Sequence, residues 1–468
     1  METKNLINGT WSKPNGKTIE VKNPSNLSEQ VGTINLSSKE DMIQAVDQAK
    51  EAQKDWAKMT GAARAEVLNQ MASKLEENKM EIATFGSREM GKPIGEMAGE
   101  VTRGIHLLRY YAGEGMRSDG SVIPSSDVNV LQYSKRVPLG VVGLITPWNF
   151  PVAIPIWKFA PALISGNAVV WKPAENASLT AVKMMEYFEG TGLPNGVLNL
   201  VIGKGSEVGK ALLEDSAVNA ISFTGSEGTG RYVASVCAER NIKFQTEMGG
   251  KNAAVIMSDA DLDQTIPIVL SGAFRSAGQK CTATSRIIVQ REVYDEVIER
   301  LKTSVGELNV APALEQDAYL GPVASKEQFD KVNHYVDIAK KEASVVAEQP
   351  LDIENEGYYI SPMIVEGVES DHQLVQEEVF GPFAVVLKAD DFDHAVQLTN
   401  ETVYGLSASI FTSNISNAHR FLDEAEAGMV RVNQETAGVE YQSPFGGMKQ
   451  SSSHTREQGQ AALDFYTQ

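Results

Sequence analysis

Cysteine is nearly missing from this chain: of 468 residues only Cys237 and Cys281 carry thiols, and no spacing motif links them. A disulfide framework is therefore not expected, and a chain of this length can build its own core without one. Histidine is scarce too, with six residues and no HxxxH or HExxH pattern. Without those ligand sets a zinc site is not expected, and no metal is assigned. Basic residues fall short of acidic ones, 42 Lys plus Arg against 61 Asp plus Glu, for a net charge of −19. Most of such a surface repels a phosphate backbone, so nucleic acid is excluded as a general partner; a small anion in a local positive pocket is not. Long apolar runs are also lacking. The longest candidate, Val141 to Ala168, is broken by Pro147, Pro151, Pro155 and Pro161 and carries Lys158, short of the roughly 20 apolar residues that span a bilayer. Met1 to Lys17 is polar and shows no basic stretch followed by an apolar one, so no secretory signal is read there. These absences predict a cytoplasmic protein with no membrane partner.

What is present is the composition of a soluble globular chain, 42% hydrophobic and 22% charged, long enough for two or three domains. Its 39 glycines are spread along the chain. Apolar spacings of three and four predict helices over Lys39–Trp56, with Ser38 as cap, and over Ala62–Lys79. From Tyr133 to Asp259 the pattern changes to short continuous apolar runs at 140–146, 168–172, 197–201, 220–224 and 253–257. Continuous rather than alternating runs fit strands buried on both faces of a parallel sheet. Helices over 179–191, 207–214 and 228–239 alternate with them, which predicts a doubly wound α/β domain with ligands at the carboxyl ends of strands. A second α/β series follows, with strands at 286–289, 362–365, 383–388, 407–412 and 429–433 and helices at 292–305, 392–400 and 415–425. Residues 119–136 and the tail 461–467 read as a small projecting sheet.

Four local constellations carry possible chemistry. The loop Phe223-Thr-Gly-Ser-Glu-Gly-Thr-Gly-Arg231 follows a strand and opens a helix, where free amides and the helix dipole meet a phosphate. It is neither GxGxxG nor a P-loop, and a plain glycine-rich turn is the alternative. Cys281, in Gly278-Gln-Lys-Cys, sits beside Lys280, which would lower its pKa; a buried, inert thiol is the alternative, and Cys237, among Val233, Val236 and Ala238, fits it. Glu247, before Gly249 and Gly250, becomes a base near neutrality if buried and an ordinary turn carboxylate if not. Asn149, between Pro147 and Pro151, is held in one direction, as an oxyanion donor must be; an asparagine satisfying its own loop is the alternative.

In order, PWNFP at 147–151, WKPAE at 171–175, FTGSxxxG at 223–230, ExGGKN at 247–252, GQxC at 278–281, EEVFGP at 377–382 and PFGGxKxS at 444–451 resemble the aldehyde dehydrogenase superfamily over nearly the whole chain. The resemblance implies a doubly wound parallel-sheet cofactor domain (1–118 and 137–247), a second α/β catalytic domain (248–433) and oligomerisation segments (119–136 and 434–468) with a small projecting sheet. It implies NAD(P)+-dependent oxidation of an aldehyde to a carboxylic acid. Cys281 is then the nucleophile, Asn149 the oxyanion donor, Glu247 the base that activates the deacylating water, and Lys158 a further catalytic residue. Thiolate addition makes the carbonyl tetrahedral, so that hydride can leave; the thioester that results is open to water.

For NAD+ or NADP+ the resemblance places Phe223, Gly225, Ser226 and Gly230 at the pyrophosphate and Lys172 and Glu175 near the adenosine ribose, and it counts Gly205 among the cofactor-binding residues. It places Glu378 and Phe380 at the nicotinamide ribose, Ile145, Thr146, Pro147, Trp148 and Gly249 along the cleft, and Gln328 and Lys331 on its far side. Glu175 repels a 2′-phosphate, which favours NAD+. Phe150, Trp157 and Phe445 are assigned to the substrate. Arg275, six residues before Cys281, holds a cation where semialdehyde-oxidising members often have one, and Arg suits carboxylate recognition. A second arginine position of succinate-semialdehyde enzymes is Trp157 here. The tail from Ala437 to His454, with Arg456 to Gly459, is similar to 2-oxoglutarate-semialdehyde (2,5-dioxopentanoate) dehydrogenases. A small carboxylated semialdehyde is thus the expected substrate. Succinate-semialdehyde or broad-specificity oxidation is the first alternative; a CoA-acylating enzyme and a non-catalytic relative rank below, since Glu247, Cys281 and Asn149 are all present. A homo-oligomer, dimer or tetramer, is expected.

Overall fold

The computed structural model describes residues 1–117, 120–453 and 455–468. Ser118 and Asp119, where the first domain boundary was drawn, and His454 of the tail motif lie outside them. Two seven-stranded sheets dominate. The first runs in the order Lys243–Glu247, Val218–Thr224, Val141–Ile145, Ala168–Lys172, Leu198–Leu200, Asn5–Ile7, Thr10–Ser12. Its first five strands are parallel, and Asn5–Ile7 runs antiparallel to both of its neighbours, Leu198–Leu200 and Thr10–Ser12. Val141–Ile145 and Ala168–Lys172 are buried almost throughout, as the unbroken apolar runs require of strands covered on both faces. Four helices, Lys39–Trp56, Gly61–Glu77, Lys79–Met90 and Ile94–Glu114, precede the central strands. Ser38 caps the first of them in a capping box with Asp41.

The second sheet is ordered Ser344–Glu348, Met363–Glu366, Phe383–Ala389, Thr284–Gln290, Asn252–Ile256, Ser407–Phe411, Met429–Val432, parallel apart from its first pair. The run at 253–257 therefore opens the second sheet instead of closing the first series. The edge of the first sheet is Lys243–Glu247, whose sequence KFQTE gives no apolar run to read.

One expectation is corrected. The tail 461–467 is not a strand: Gly459–Tyr466 is a helix, with Ala462, Phe465 and Tyr466 buried in the core around the first sheet. Only its end is extended, where Val137 and Gln468 exchange backbone hydrogen bonds. The projecting sheet is the hairpin Gly120–Ile123/Gln132–Lys135, exposed throughout. Among the described residues no helix is long and apolar enough to cross a membrane.

The two sheets meet end to end. Ile145, Thr224 and Glu247 end strands of the first sheet, and Asn252, Thr284 and Phe383 begin strands of the second. The loops that carry the motifs leave the first set and enter the second, so they share one seam.

Candidate active site

Cys281 is placed by a strained loop. After the helix Leu262–Phe274 the chain turns through Ser276, Ala277 and Gly278, all left-handed, at φ 56°, 52° and 68°. Left-handed backbone costs a residue with a Cβ about 1–2 kcal/mol, and Glu96 offsets part of this, accepting from the Ser276 amide at 2.8 Å and hydroxyl at 2.6 Å. Gly278 is needed for space as well: a Cβ there would lie 2.0 Å from the Gly381 carbonyl oxygen. Asn252 Nδ2 then donates to the Cys281 and Ala283 carbonyls, each at 2.8 Å. The loop delivers Cys281 to a cavity of about 170 Å³ that Trp148, Asn149, Thr224, Ser226, Gly249, Gln328, Lys331, Glu378 and Phe380 also line.

Asn149 comes from the other side of the seam. Its Nδ2 donates to the Gln279 carbonyl at 3.0 Å, two residues before the thiol, and its second N–H proton remains. The loop's prolines are not its only restraint. Lys92 Nζ donates to the Asn149 carbonyl at 2.6 Å and pairs with buried Glu100, whose Oε1 accepts from the Val152 and Ala153 amides at 2.8 and 3.0 Å. Glu100 thereby holds the start of the helix Ala153–Ile164. No sequence signal pointed to this clamp.

The neighbourhood of the thiol differs from the expectation based on Lys280. Burial first, then the carboxylates of Glu378 and Glu247, push the Cys281 thiol well above its ordinary pKa. The Lys280 ammonium lies toward the Ser271 carbonyl, 3.5 Å away, and does not offset them. Burial and those charges favour the neutral thiol, so its use as a nucleophile calls for a base.

Glu247 ends its strand just behind that cavity. Ser452 donates to Oε2 at 2.5 Å; Oε1 is buried without a partner. Burial, followed by the negative charge of Glu457, raises its pKa well above the carboxylate range. Lys158 lies in the same cluster, fully buried, bonded to Glu457 Oε1 and at 2.8 Å to the Ser222 hydroxyl. Trp157 Nε1 donates to Glu457 Oε2 at 2.6 Å. Sequence reasoning found Glu247 and Lys158 but missed Ser452 and Glu457.

The remaining assigned residues divide by place. Trp148 meets Phe380 edge to face at 5.6 Å, and Gln328 Nε2 holds the Phe380 carbonyl at 2.7 Å. Glu378 Oε1 accepts from the Gly250 amide at 3.0 Å. Phe223 packs behind the glycine loop, where a Cβ on Gly225 would strike its ring at 2.7 Å and one on Gly230 the Met248 sulfur at 2.4 Å. Thr146 is buried and accepts from Trp171 Nε1 at 2.8 Å, and Ile145 completes its strand beneath it. Lys172, Glu175 and Gly205 converge elsewhere: Glu175 Oε1 accepts from Lys172 Nζ at 3.4 Å and from the Gly205 amide at 3.1 Å. On the thiol's apolar side, Cys281 and Val439 pack against Leu406, Met429 and Phe445, and the Phe445 and Trp157 rings lie 5.3 Å apart. Lys92 sits 3.8 Å over the Phe150 ring. Arg275 is exposed, stacked on Tyr319 at 4.9 Å, and does not line the cavity.

These surroundings fit a dinucleotide. Ser226 caps the helix Glu227–Glu239 without bonding its amides, because its hydroxyl is directed to Thr229 Oγ1 at 3.0 Å; first-turn donors stay available to an anion. Thr224 Oγ1, on the cavity wall, is buried with no partner. Lys172 is buried with one long carboxylate contact for three N–H donors. Among the described residues no cluster of His, Cys, Asp or Glu has the makings of a metal site.

Comparison with known proteins identifies the family. The model described as "Aldehyde dehydrogenase family" matches residues 11–468. The chain is 49% identical over 468 residues to the alpha-ketoglutaric semialdehyde dehydrogenase of Bacillus subtilis, covering 99% of this chain and 96% of that one. It is 38% identical over 459 residues to the 2,5-dioxopentanoate dehydrogenase of Saccharolobus solfataricus, covering 97% and 96%. Among solved structures, betaine aldehyde dehydrogenase from Staphylococcus aureus in complex with NAD+ superposes with a TM-score of 0.96 at 32% identity, covering 100% and 93%.

Proposed function

This chain belongs to the aldehyde dehydrogenase family, and from that premise we propose that it oxidises 2,5-dioxopentanoate, the semialdehyde of 2-oxoglutarate, to the dicarboxylate. The observation that carries the reading is the meeting of Cys281, Asn149 and Glu378 on one cavity, with Glu247 near enough for its charge to act on the Cys281 thiol. The substrate assignment rests on the names borne by the relatives at 49% and 38% identity.

Glu247 takes the Cys281 proton, directly or through one water, and the thiolate adds to the carbonyl carbon. The free Nδ2 proton of Asn149 and the Cys281 amide hold the oxyanion. A nicotinamide dinucleotide, when bound, supplies the hydride acceptor. Glu378 holds its nicotinamide-side ribose, Trp148 and Phe380 pack around that end, Gln328 and Lys331 bound the far wall, and Ser226 presents the helix amides to its pyrophosphate. Loss of hydride leaves Cys281 acylated. Glu247 passes the thiol proton on to solvent and then removes a proton from water; the hydroxide adds to the thioester, and Cys281 departs as thiolate with release of the acid. Lys158, held by Glu457 and Ser222, stands behind the base as the proton moves on. NAD+ is the favoured coenzyme, because Glu175, beside the buried Lys172, accepts ribose hydroxyls and repels a 2′-phosphate. The exposed hairpin, with Val122, Leu131 and Tyr133 at 77%, 76% and 64% exposure, pairs with another copy in a dimer or tetramer.

The test is a substrate panel without CoA, using 2,5-dioxopentanoate, succinate semialdehyde, glutaraldehyde, betaine aldehyde and pentanal with each coenzyme. The highest kcat/KM is expected for 2,5-dioxopentanoate with NAD+. An equal or higher value for pentanal would overturn the substrate assignment.

A further inference from the structure

Lys251 ends the segment Glu247-Met-Gly-Gly-Lys and takes no part in the chemistry derived above. It is 1% exposed. Its Nζ donates to the Glu377 carbonyl at 2.6 Å, and among the described residues it forms no ion pair. A second buried cation stands beside it. Arg286 Nε donates to the Lys251 carbonyl at 2.8 Å, and its Nη atoms hold the Leu398 and Thr399 carbonyls at 2.7 and 2.8 Å. Burial first, then the Arg286 charge, push the Lys251 pKa down to about 7. An amine donates in either protonation state, so the contact with Glu377 does not depend on the charge. A methionine would fill the same space without the cost of burying an ionisable group, so packing alone does not explain a lysine here.

What Lys251 holds is the front of the segment Glu377–Phe380. Glu378 Oε1 accepts from the Gly250 amide at 3.0 Å, and Gly249 leaves the carboxylate room, since a Cβ there would lie 2.6 Å from Glu378 Oε2. At the rear, Gln328 Nε2 donates to the Val379 and Phe380 carbonyls at 3.3 and 2.7 Å. Phe380 itself is left-handed, at φ 60°. A residue with a side chain keeps such a backbone only where its surroundings impose it. The Glu377 side chain is not part of this hold, because its Oε2 turns away to the Tyr335 hydroxyl at 2.7 Å. Lys251 and Gln328 thus pin three of the four carbonyls in the segment that carries Glu378 to the cavity.

We propose that Lys251 is a positioning residue for hydride transfer: by holding the Glu377 carbonyl it fixes the Glu377–Glu378 peptide plane, and so aims the Glu378 carboxylate at the nicotinamide-side ribose. This rests on the role given to Glu378 above and names what keeps that carboxylate in place. Lys251 does not line the cavity and acts through Glu378 alone. A peptide plane is rigid, so turning it redirects the next Cα–Cβ bond. Released from Lys251, the Glu378 carboxylate keeps the Gly250 amide as its one hydrogen-bond partner, and the ribose loses a fixed acceptor. The nicotinamide then sits less well over the carbon that gives up hydride, while the adenosine end of the dinucleotide, held at Lys172 and Glu175, is unaffected.

The experiment is a double-mutant cycle on the full chain: wild type, Lys251→Met, Glu378→Gln and the two substitutions together, with Lys251→Gln as the variant that keeps an N–H donor. The first-order rate of the NADH burst at saturating aldehyde reads hydride transfer and does not depend on how much of the enzyme is folded. AMP affinity reads the adenosine end. Lys251→Met is expected to slow the burst roughly ten- to a hundredfold with AMP affinity unchanged, and Lys251→Gln is expected to fall between it and wild type. Added to Glu378→Gln, Lys251→Met is expected to cost nothing further, because both act through one carboxylate. Should Lys251→Met fail to fold, Lys251→Gln takes its place in the cycle. If Glu378→Gln alone leaves the burst and NAD+ affinity unchanged, the role given to Glu378 above is wrong. If Glu378→Gln slows the burst while Lys251→Met keeps the wild-type rate, or if the two losses multiply, Lys251 does not act through Glu378 and this inference is overturned.

Discussion

Ser452 donates its hydroxyl to Oε2 of Glu247 at 2.5 Å, and Oε1 of the same carboxyl group is buried without a partner. One oxygen is thus anchored and the other free to take a proton. Because burial and Glu457 hold the Glu247 pKa up, the group is protonated at low pH and becomes a base as the pH rises. The deacylation rate is expected to climb with pH until Glu247 has ionised. Ser452→Ala removes a donor that favours the ionised form, so the climb is expected to move to higher pH. A shift to lower pH in single-turnover traces would contradict this account.

Glu247→Gln is expected to slow acylation, because Cys281 loses the base that takes its proton, and to slow hydrolysis more, by about a hundredfold or more, so that the acyl-enzyme, once formed, accumulates and appears in intact mass spectra. The same substitution has a stability signature. A carboxyl group whose folded pKa is raised stabilises most fully below the unfolded value near 4.5, and that contribution is lost as pH rises through the folded value. The variant is therefore expected to gain on wild type in denaturation midpoint as the buffer is made more alkaline.

Glu378 is the largest charge that keeps the Cys281 thiol protonated, after burial itself. Glu378→Gln is expected to lower the thiol pKa and shift the pH profile of iodoacetamide alkylation at Cys281 toward neutrality. Cys237, buried and with its own pKa pushed up to about 11, is expected to stay unlabelled in both proteins. Peptide mapping after alkylation reads both outcomes.

Glu175→Ser removes the carboxylate beside Lys172 and Gly205. Its kcat/KM with NADP+ is expected to rise relative to NAD+. No gain with NADP+ would remove Glu175 from the discrimination of the two coenzymes.

Lys92 and Glu100 form an ion pair with both side chains almost wholly buried. Glu100→Ala strands the ammonium and frees the Val152 and Ala153 amides, and a broken buried pair costs about 3–5 kcal/mol. A lower urea midpoint is expected, with kcat reduced because Lys92 also fixes the Asn149 carbonyl.

The parts of this molecule that were legible in its sequence are those whose meaning is local. Asn149 between two prolines, Cys281 after Gly278 and Glu247 before paired glycines can be picked out because turn chemistry is written in adjacent residues. Ser452, Glu457 and Lys92 were not legible: they reach Glu247, Lys158 and Asn149 across 205, 299 and 57 residues, and no periodicity records such meetings. The strand Lys243–Glu247 was missed because its polar residues obey no strand pattern. Lys280 misled for the opposite reason, since neighbours in sequence can point apart. The tail, short and mixed in composition, was read as extended; its three buried side chains make it a helix.

Asn149 stands on the outgoing edge of one sheet and Cys281 on the incoming edge of the other, and a single amide-to-carbonyl contact, Asn149 to Gln279, ties their loops. A parting of about an ångström there would silence the reaction, since misplacement on that scale costs about a hundredfold in rate, while each half kept its own interior intact. Turnover in this enzyme is therefore a gauge of how tightly its two halves are shut, and it should fade on heating before either half melts.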